Sequence, residues 1–125
     1  MNFPKNLRYT KDHAWIKLDG SVATIGITDY AQRELGDIVY VEVETVGKSL
    51  KAGDVFGTVE AVKTVSDLFL PVDGMITELN AALANSPESV NNDPYGEGWM
   101  VKMKVNNLAD VEALLDSAAY EAQVA

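Results

Sequence analysis

The stretch Gly57-Thr58-Val59-Glu60-Ala61-Val62-Lys63-Thr64-Val65-Ser66-Asp67-Leu68 decides how the rest of this chain is read. Val55 to Val62 is rich in β-branched residues and follows the turn pair Gly53-Asp54, which predicts a strand. A second apolar run, Val65 to Val72, closes at Pro71 and Asp73-Gly74. The gap between the runs is the shortest a hairpin allows, and Lys63 sits in it. The two runs predict a β-hairpin over residues 55–72 with a cation at its tip, projecting from the body of the domain. A lone lysine in a turn is ordinarily a solvated surface residue. Glu60 three residues before it and Asp67-Leu68 after it, inside matched strands, set this one apart.

Outward from the hairpin, the flanking segments read as more short strands. Leu7 to Leu18 alternates poorly but carries Tyr9, Trp15 and Ile16, and Asp19-Gly20 ends it with a hairpin signal. Ser21 to Thr28 alternates cleanly, with Ala23, Ile25 and Ile27 on one face. Thr28 or Asp29 caps a short helix, Tyr30 to Leu35, which Gly36 stops. Ile38 to Val43 reads as a buried strand, Val46-Gly47-Lys48 as a turn, and Leu50 to Asp54 as a connecting turn. Beyond the hairpin come a strand from Met75 to Leu79, a helical turn at Asn80 to Leu83, and a loop from Asn85 to Gly98 rich in Ser, Pro, Asn, Asp and Gly. Loops of that length in small domains tend to be functional or mobile. Trp99 to Val105 is a strand, and Asn107 caps a C-terminal helix over residues 107–118 with Leu108, Val111, Leu114 and Leu115 on one face; Tyr120 extends it or begins a second helix. Short strands with Gly and Asp turns and little helix predict a mainly β sandwich or flattened barrel, with a short internal helix and a C-terminal helix.

Composition bounds the function. A chain of 125 residues builds one domain, here residues 1–125, around one core. Without cysteine there is no disulfide framework, thiolate metal site or cysteine nucleophile. A net charge of −9 argues against nonspecific binding to nucleic acid or anionic membranes and suits docking on basic patches of partners. No apolar run approaches the ~20 residues that span a bilayer, and Met1-Asn2-Phe3-Pro4-Lys5 lacks the features of a secretory or transit signal.

The wording Val59-Glu60-Ala61-Val62-Lys63-Thr64-Val65-Ser66-Asp67 resembles the lysine-presenting hairpin of swinging-arm carriers, and specifically the H protein of the glycine cleavage system. A biotin carrier shows methionines beside the lysine, and lipoyl domains of 2-oxoacid dehydrogenases more often place an acid just before it; here the neighbours are Val62 and Thr64. Four further blocks are similar in wording and order to the same family. These are Arg8 to Trp15, Thr24 to Gln32, Leu35 to Glu42, and Asn92 to Trp99. The resemblance implies a barrel-sandwich hybrid fold and a non-catalytic carrier, and the lack of signal features in the first residues leads to the expectation of a cytoplasmic, bacterial-type location. It implies lipoate in amide linkage to Lys63, with Glu60 and Gly74 used in recognition by the modifying enzyme, a lipoate ligase or lipoyl synthase. Asp67 is expected to line the cleft that receives the arm, or simply to end the turn. The partners implied are the pyridoxal-phosphate glycine decarboxylase, the aminomethyltransferase and the dihydrolipoyl dehydrogenase, between which the arm carries the aminomethyl group and reducing equivalents. Gly74, at the end of a turn, is expected to adopt a positive φ.

One position departs from the family pattern. Between His13 and Trp15 the family has a glutamate, and this chain has Ala14. The resemblance then implies a weaker hold on the arm's amine, with Asp67 or Asp12 as substitutes, and it leaves open a related role as a relay that hands lipoyl groups to 2-oxoacid dehydrogenases. A third reading, Lys63 as a Schiff-base or general-base lysine, needs a desolvated pocket, the opposite of a hairpin tip. Elsewhere the bland readings stand. His13 is the single histidine and has no partner for a metal site. Ser66-Asp67 lacks a base, Asn91 to Glu97 lacks calcium-loop spacing, and Gly96-Glu97-Gly98 is too short to cradle phosphate. Trp99 and Met103 read as core or surface-shelf residues.

Overall fold

Strand alternation drives the architecture. In Val22–Ile27, Ala23, Ile25 and Ile27 are buried while Val22 is exposed, so this segment lays one apolar face on the core. The computed structural model describes residues 1–124. In chain order the strands are β1 (Arg8–Tyr9), β2 (Ala14–Asp19), β3 (Val22–Ile27), β4 (Ile38–Glu42), β5 (Ser49–Leu50), β6 (Val55–Ala61), β7 (Val65–Phe69), β8 (Gly74–Leu79) and β9 (Val101–Val105). The helices are α1 (Asp29–Leu35), α2 (Ser89–Asn92), α3 (Leu108–Glu112) and α4 (Ser117–Val124), with a 3-10 turn at Ala81–Ala84. Six strands form one sheet in the order β1-β2-β3-β9-β8-β5, and three form a second in the order β4-β6-β7. Ile16, Ile25, Ile76 and Met103 from the first sheet pack against Phe56, Val59 and Leu68 from the second in one core. The architecture is the barrel-sandwich hybrid. No helix among the described residues is long and apolar enough to cross a membrane.

A second cluster, Leu7, Tyr9, Trp15 and Tyr120, seals the end where the two termini meet. The Tyr9 and Tyr120 rings stack at 4.9 Å, and Phe3 meets Tyr120 edge-on at 5.4 Å. Both chain ends are thereby tied to β1 and β2.

Several segments differ from the sequence expectation. The run from Leu7 to Leu18 is two strands paired with each other, because the chain reverses at Thr10–His13. His13 closes that turn at φ 72°, a left-handed conformation uncommon for a residue other than glycine. The strand at Ile38–Glu42 is not buried throughout. It is an edge strand, and only Ile38 is inside, with Val39 and Tyr40 each 47% exposed. Leu50, read as part of a turn, pairs with Gly74 in β5. The stretch 85–98 is not open loop: α2 lies within it, and Val90 is fully buried. Trp99 lies before β9, half-buried under Lys102, whose Nζ sits 5.1 Å from the ring centre, whereas Met103 is core.

The helix expected over 107–118 is two helices. Leu115 exchanges backbone hydrogen bonds with Tyr9, donating to Tyr9 O at 3.0 Å and accepting from Tyr9 N at 2.8 Å. A residue committed to a β-bridge cannot continue the helix. Asp116 then starts α4 by accepting from Ala119 N at 2.8 Å. Leu108 is consequently exposed rather than part of an apolar stripe.

Candidate functional site

The hairpin is closed by Ala61 N, which donates to Thr64 O at 2.8 Å and leaves Val62 and Lys63 as the two tip residues. The tip is also fastened from the side, because Val62 N donates to Asp37 O at 3.0 Å. Asp37 links α1 to β4, and the amide side chain of Asn91 holds the peptide groups on either side of it. Asn91 Nδ2 donates to Gly36 O at 2.8 Å and to Gln32 Oε1 at 3.0 Å, and Asn91 Oδ1 accepts from Ile38 N at 2.9 Å. A residue from α2 thus sets the seat on which the lysine tip rests. Asn91→Ala removes three hydrogen bonds and is expected to lower stability by about 2–3 kcal/mol. Hydrogen exchange should show the Val62 amide losing protection more than amides in β3. Uniform loss across the chain would mean Asn91 does not act on the tip.

Lys63 is exposed, and its Cε lies 3.6 Å from where a Cβ on Gly36 would stand. Gly36 ends α1 at φ +80°, so a side chain there would be strained and would crowd the lysine stem. The surface around the tip is apolar: Val62 is 76% exposed and Val65 63%, with Tyr40 and Val39 beside them on the edge strand. Glu60 lies on this outer face, opposite Tyr40 and Val65, and is exposed.

A cleft of about 280 Å³ begins next to the tip and runs between β7, α1 and the β1–β2 turn. Ile27, Leu35, Phe56 and Leu68 give it an apolar wall. Asp12, Glu34 and Asp67 bring three carboxylates to it, and no lysine or arginine lines it. Ala14 lies in the same wall, buried, and adds no charge. His13 also lines the cleft, with its ring tilted against Tyr30 at 4.8 Å. Burial pushes the His13 imidazole down from its ordinary value, outweighing the Asp12 and Glu34 carboxylates that favour its charged form.

The structure therefore brings Lys63 and Asp67 to one end of the molecule, at the tip and in the cleft beside it. Glu60 shares the outer face of the hairpin with Val65 and Asp67 but does not line the cleft. Gly74 is elsewhere, in β8 of the six-stranded sheet, between β5 and β9. It does not adopt the positive φ expected of a turn glycine. Instead the β9 backbone comes so close that a Cβ on Gly74 would overlap the Lys104 carbonyl oxygen and the Met103 methyl group. Sequence reading missed Asp37, Asn91 and Glu34. Glu34 had a signal, since Tyr30, Ala31, Glu34 and Leu35 fall on one face of the predicted helix. Asn91 had none.

Comparison with known proteins identifies the family of the chain. The family model for the glycine cleavage H-protein matches residues 7–125. The chain is 60% identical over 124 residues to a glycine cleavage system H protein of Bacteroides fragilis, covering 99% of this chain and 98% of the relative. It is 63% identical over 122 residues to the protein of the same name in Chlorobium luteolum, covering 96% and 95%. Among solved structures it is similar to a glycine cleavage system H protein from Mycobacterium marinum, with a TM-score of 0.88 at 38% identity over 98% of each chain.

Proposed function

The chain belongs to the glycine cleavage H-protein family, and on that premise we propose that it is the lipoyl carrier of the glycine cleavage system, with Lys63 as the attachment site. The observation that carries this reading is the fastened tip, a lysine at a two-residue turn whose neighbour is bonded to Asp37 and whose arm has a cleft beside it. Lipoate in amide linkage to Lys63 Nζ would supply a dithiolane able to accept an aminomethyl group together with two electrons.

The chain's own residues present, aim and shelter that arm. The turn leaves the Lys63 side chain exposed, lying over Gly36 at the end of α1, where a lipoate ligase or lipoyl synthase can reach it, and Glu60 with the exposed Val62 and Val65 offers a surface by which to tell Lys63 from the other lysines. The residues present suit the group. Leu35, Phe56 and Leu68 give a hydrocarbon stem an apolar wall, and Asp12, Glu34 and Asp67 give a cationic amine at its end three carboxylates. Tethering raises the local concentration of the carried unit at the glycine decarboxylase, the aminomethyltransferase and the dihydrolipoyl dehydrogenase in turn. The catalysis belongs to those partners.

Ala14 removes one carboxylate that the family pattern implies, yet the cleft keeps three, with Glu34 joining Asp12 and Asp67. That supports the glycine-cleavage carrier over the lipoyl relay. The test is intact mass with peptide mapping after expression with lipoate and a lipoate ligase, followed by reconstitution with the decarboxylase and aminomethyltransferase. Addition of one lipoyl group at Lys63 and glycine-dependent carbon transfer to tetrahydrofolate are expected. A chain that accepts lipoate, supports no glycine cleavage and donates its lipoyl group to a 2-oxoacid dehydrogenase would be the relay.

A further inference from the structure

His13 reaches from the cleft wall into the sealed end of the molecule. Its Nδ1 lies 2.8 Å from the Tyr120 hydroxyl of α4, and that hydroxyl lies 2.7 Å from Thr28 Oγ1. Thr28 and Tyr120 are fully buried, so water does not satisfy them. Thr28 Oγ1 already accepts from Ala31 N at 3.2 Å, as the cap of α1. Its own proton has a single acceptor in reach, the Tyr120 oxygen. With Thr28 donating to Tyr120, the Tyr120 proton goes to His13 Nδ1. Reversing the direction, or charging the imidazole so that Nδ1 donates, sends the Tyr120 proton to Thr28 and strands the Thr28 proton in the interior.

We propose that Thr28, Tyr120 and His13 form a proton-ordered chain that holds His13 neutral, with Nδ1 accepting and Nε2–H as the donor available to the cleft. Tyr120 and Thr28 are positioning residues that act through His13. A charged imidazole would offset the carboxylates of Asp12, Glu34 and Asp67; a neutral one leaves the wall anionic and selective for a cation. The groups facing His13 are Asp12 on its own turn, Tyr30 and Glu34 on α1, Tyr120 on α4 and Asp67 across the cleft. The sense of this for an aminomethylated arm rests on the carrier reading above. The proton order itself does not.

With one histidine in the chain, nitrogen-15 NMR reads His13 without ambiguity on the unmodified protein. In the native chain the neutral ring should show an unprotonated Nδ1 and a protonated Nε2, with a midpoint below the ordinary 6.5. Tyr120→Phe keeps the ring stack and removes the hydroxyl, so the midpoint should rise by on the order of one pH unit. Thr28→Ser keeps the hydroxyl and should leave the midpoint where it was. A protonated Nδ1 in the native chain, or an unmoved midpoint in Tyr120→Phe, would overturn the proposal. Neither result bears on whether Lys63 takes lipoate, which intact mass reads separately.

Discussion

Lys63→Arg is expected to abolish lipoylation: the intact mass stays that of the bare chain under conditions that fully modify the native protein, and glycine cleavage falls to background. The guanidinium keeps the charge and much of the reach of the lysine but stays protonated and cannot supply the free amine that acylation needs. The fold should be untouched. Lys63 is exposed, and the turn is closed by backbone groups of Ala61, Val62 and Thr64 rather than by its side chain, so the stability should change by less than the ~0.5 kcal/mol typical of surface changes. Full modification of Lys63→Arg at another lysine would remove the attachment site from the hairpin tip.

Gly74→Ala is expected to be the most destabilising single-methyl change in the sheet. A Cβ there meets backbone on β9, which cannot rotate away as a side chain could. Overpacking of this kind costs about 1–3 kcal/mol when neighbours yield and more when they do not. At the upper end it should lower the melting temperature by about 10 °C. The same variant separates two roles. If Gly74 matters to lipoylation only by permitting the β8–β9 contact, Gly74→Ala held well below its melting temperature is lipoylated at the native rate. If the modifying enzyme reads that position directly, lipoylation fails even at temperatures where the variant is fully folded.

The hairpin was legible because its determinants are adjacent. Two β-branched runs with a two-residue gap leave one pairing, and the alternation of Val59, Glu60 and Ala61 sets which face turns inward. The helix at Asp29–Leu35 was legible for the same reason, with Thr28 and Gly36 as its cap and stop. Reading failed where a distant partner decided the outcome. The apolar stretch Ile38–Glu42 looks buried, but as an edge strand its outer face has no covering layer. The Leu108-to-Leu115 pattern looks like one helix, but Tyr9, far earlier in the chain, takes both backbone groups of Leu115.

What the sequence by itself determined is the local record: a lysine at the turn of a stiff hairpin, a mainly β fold, and a family likeness written into the hairpin and four further blocks of the chain. What only the tertiary structure decided is how distant segments converge on that lysine. Asn91 from α2 seats the tip, Glu34 from α1 faces Asp67 across the cleft, and Tyr120 from the last helix sets the proton on His13. Strand and turn preferences act between neighbours and leave a periodic trace, whereas a hydrogen bond between residues 53 or 107 positions apart is made by packing and leaves none.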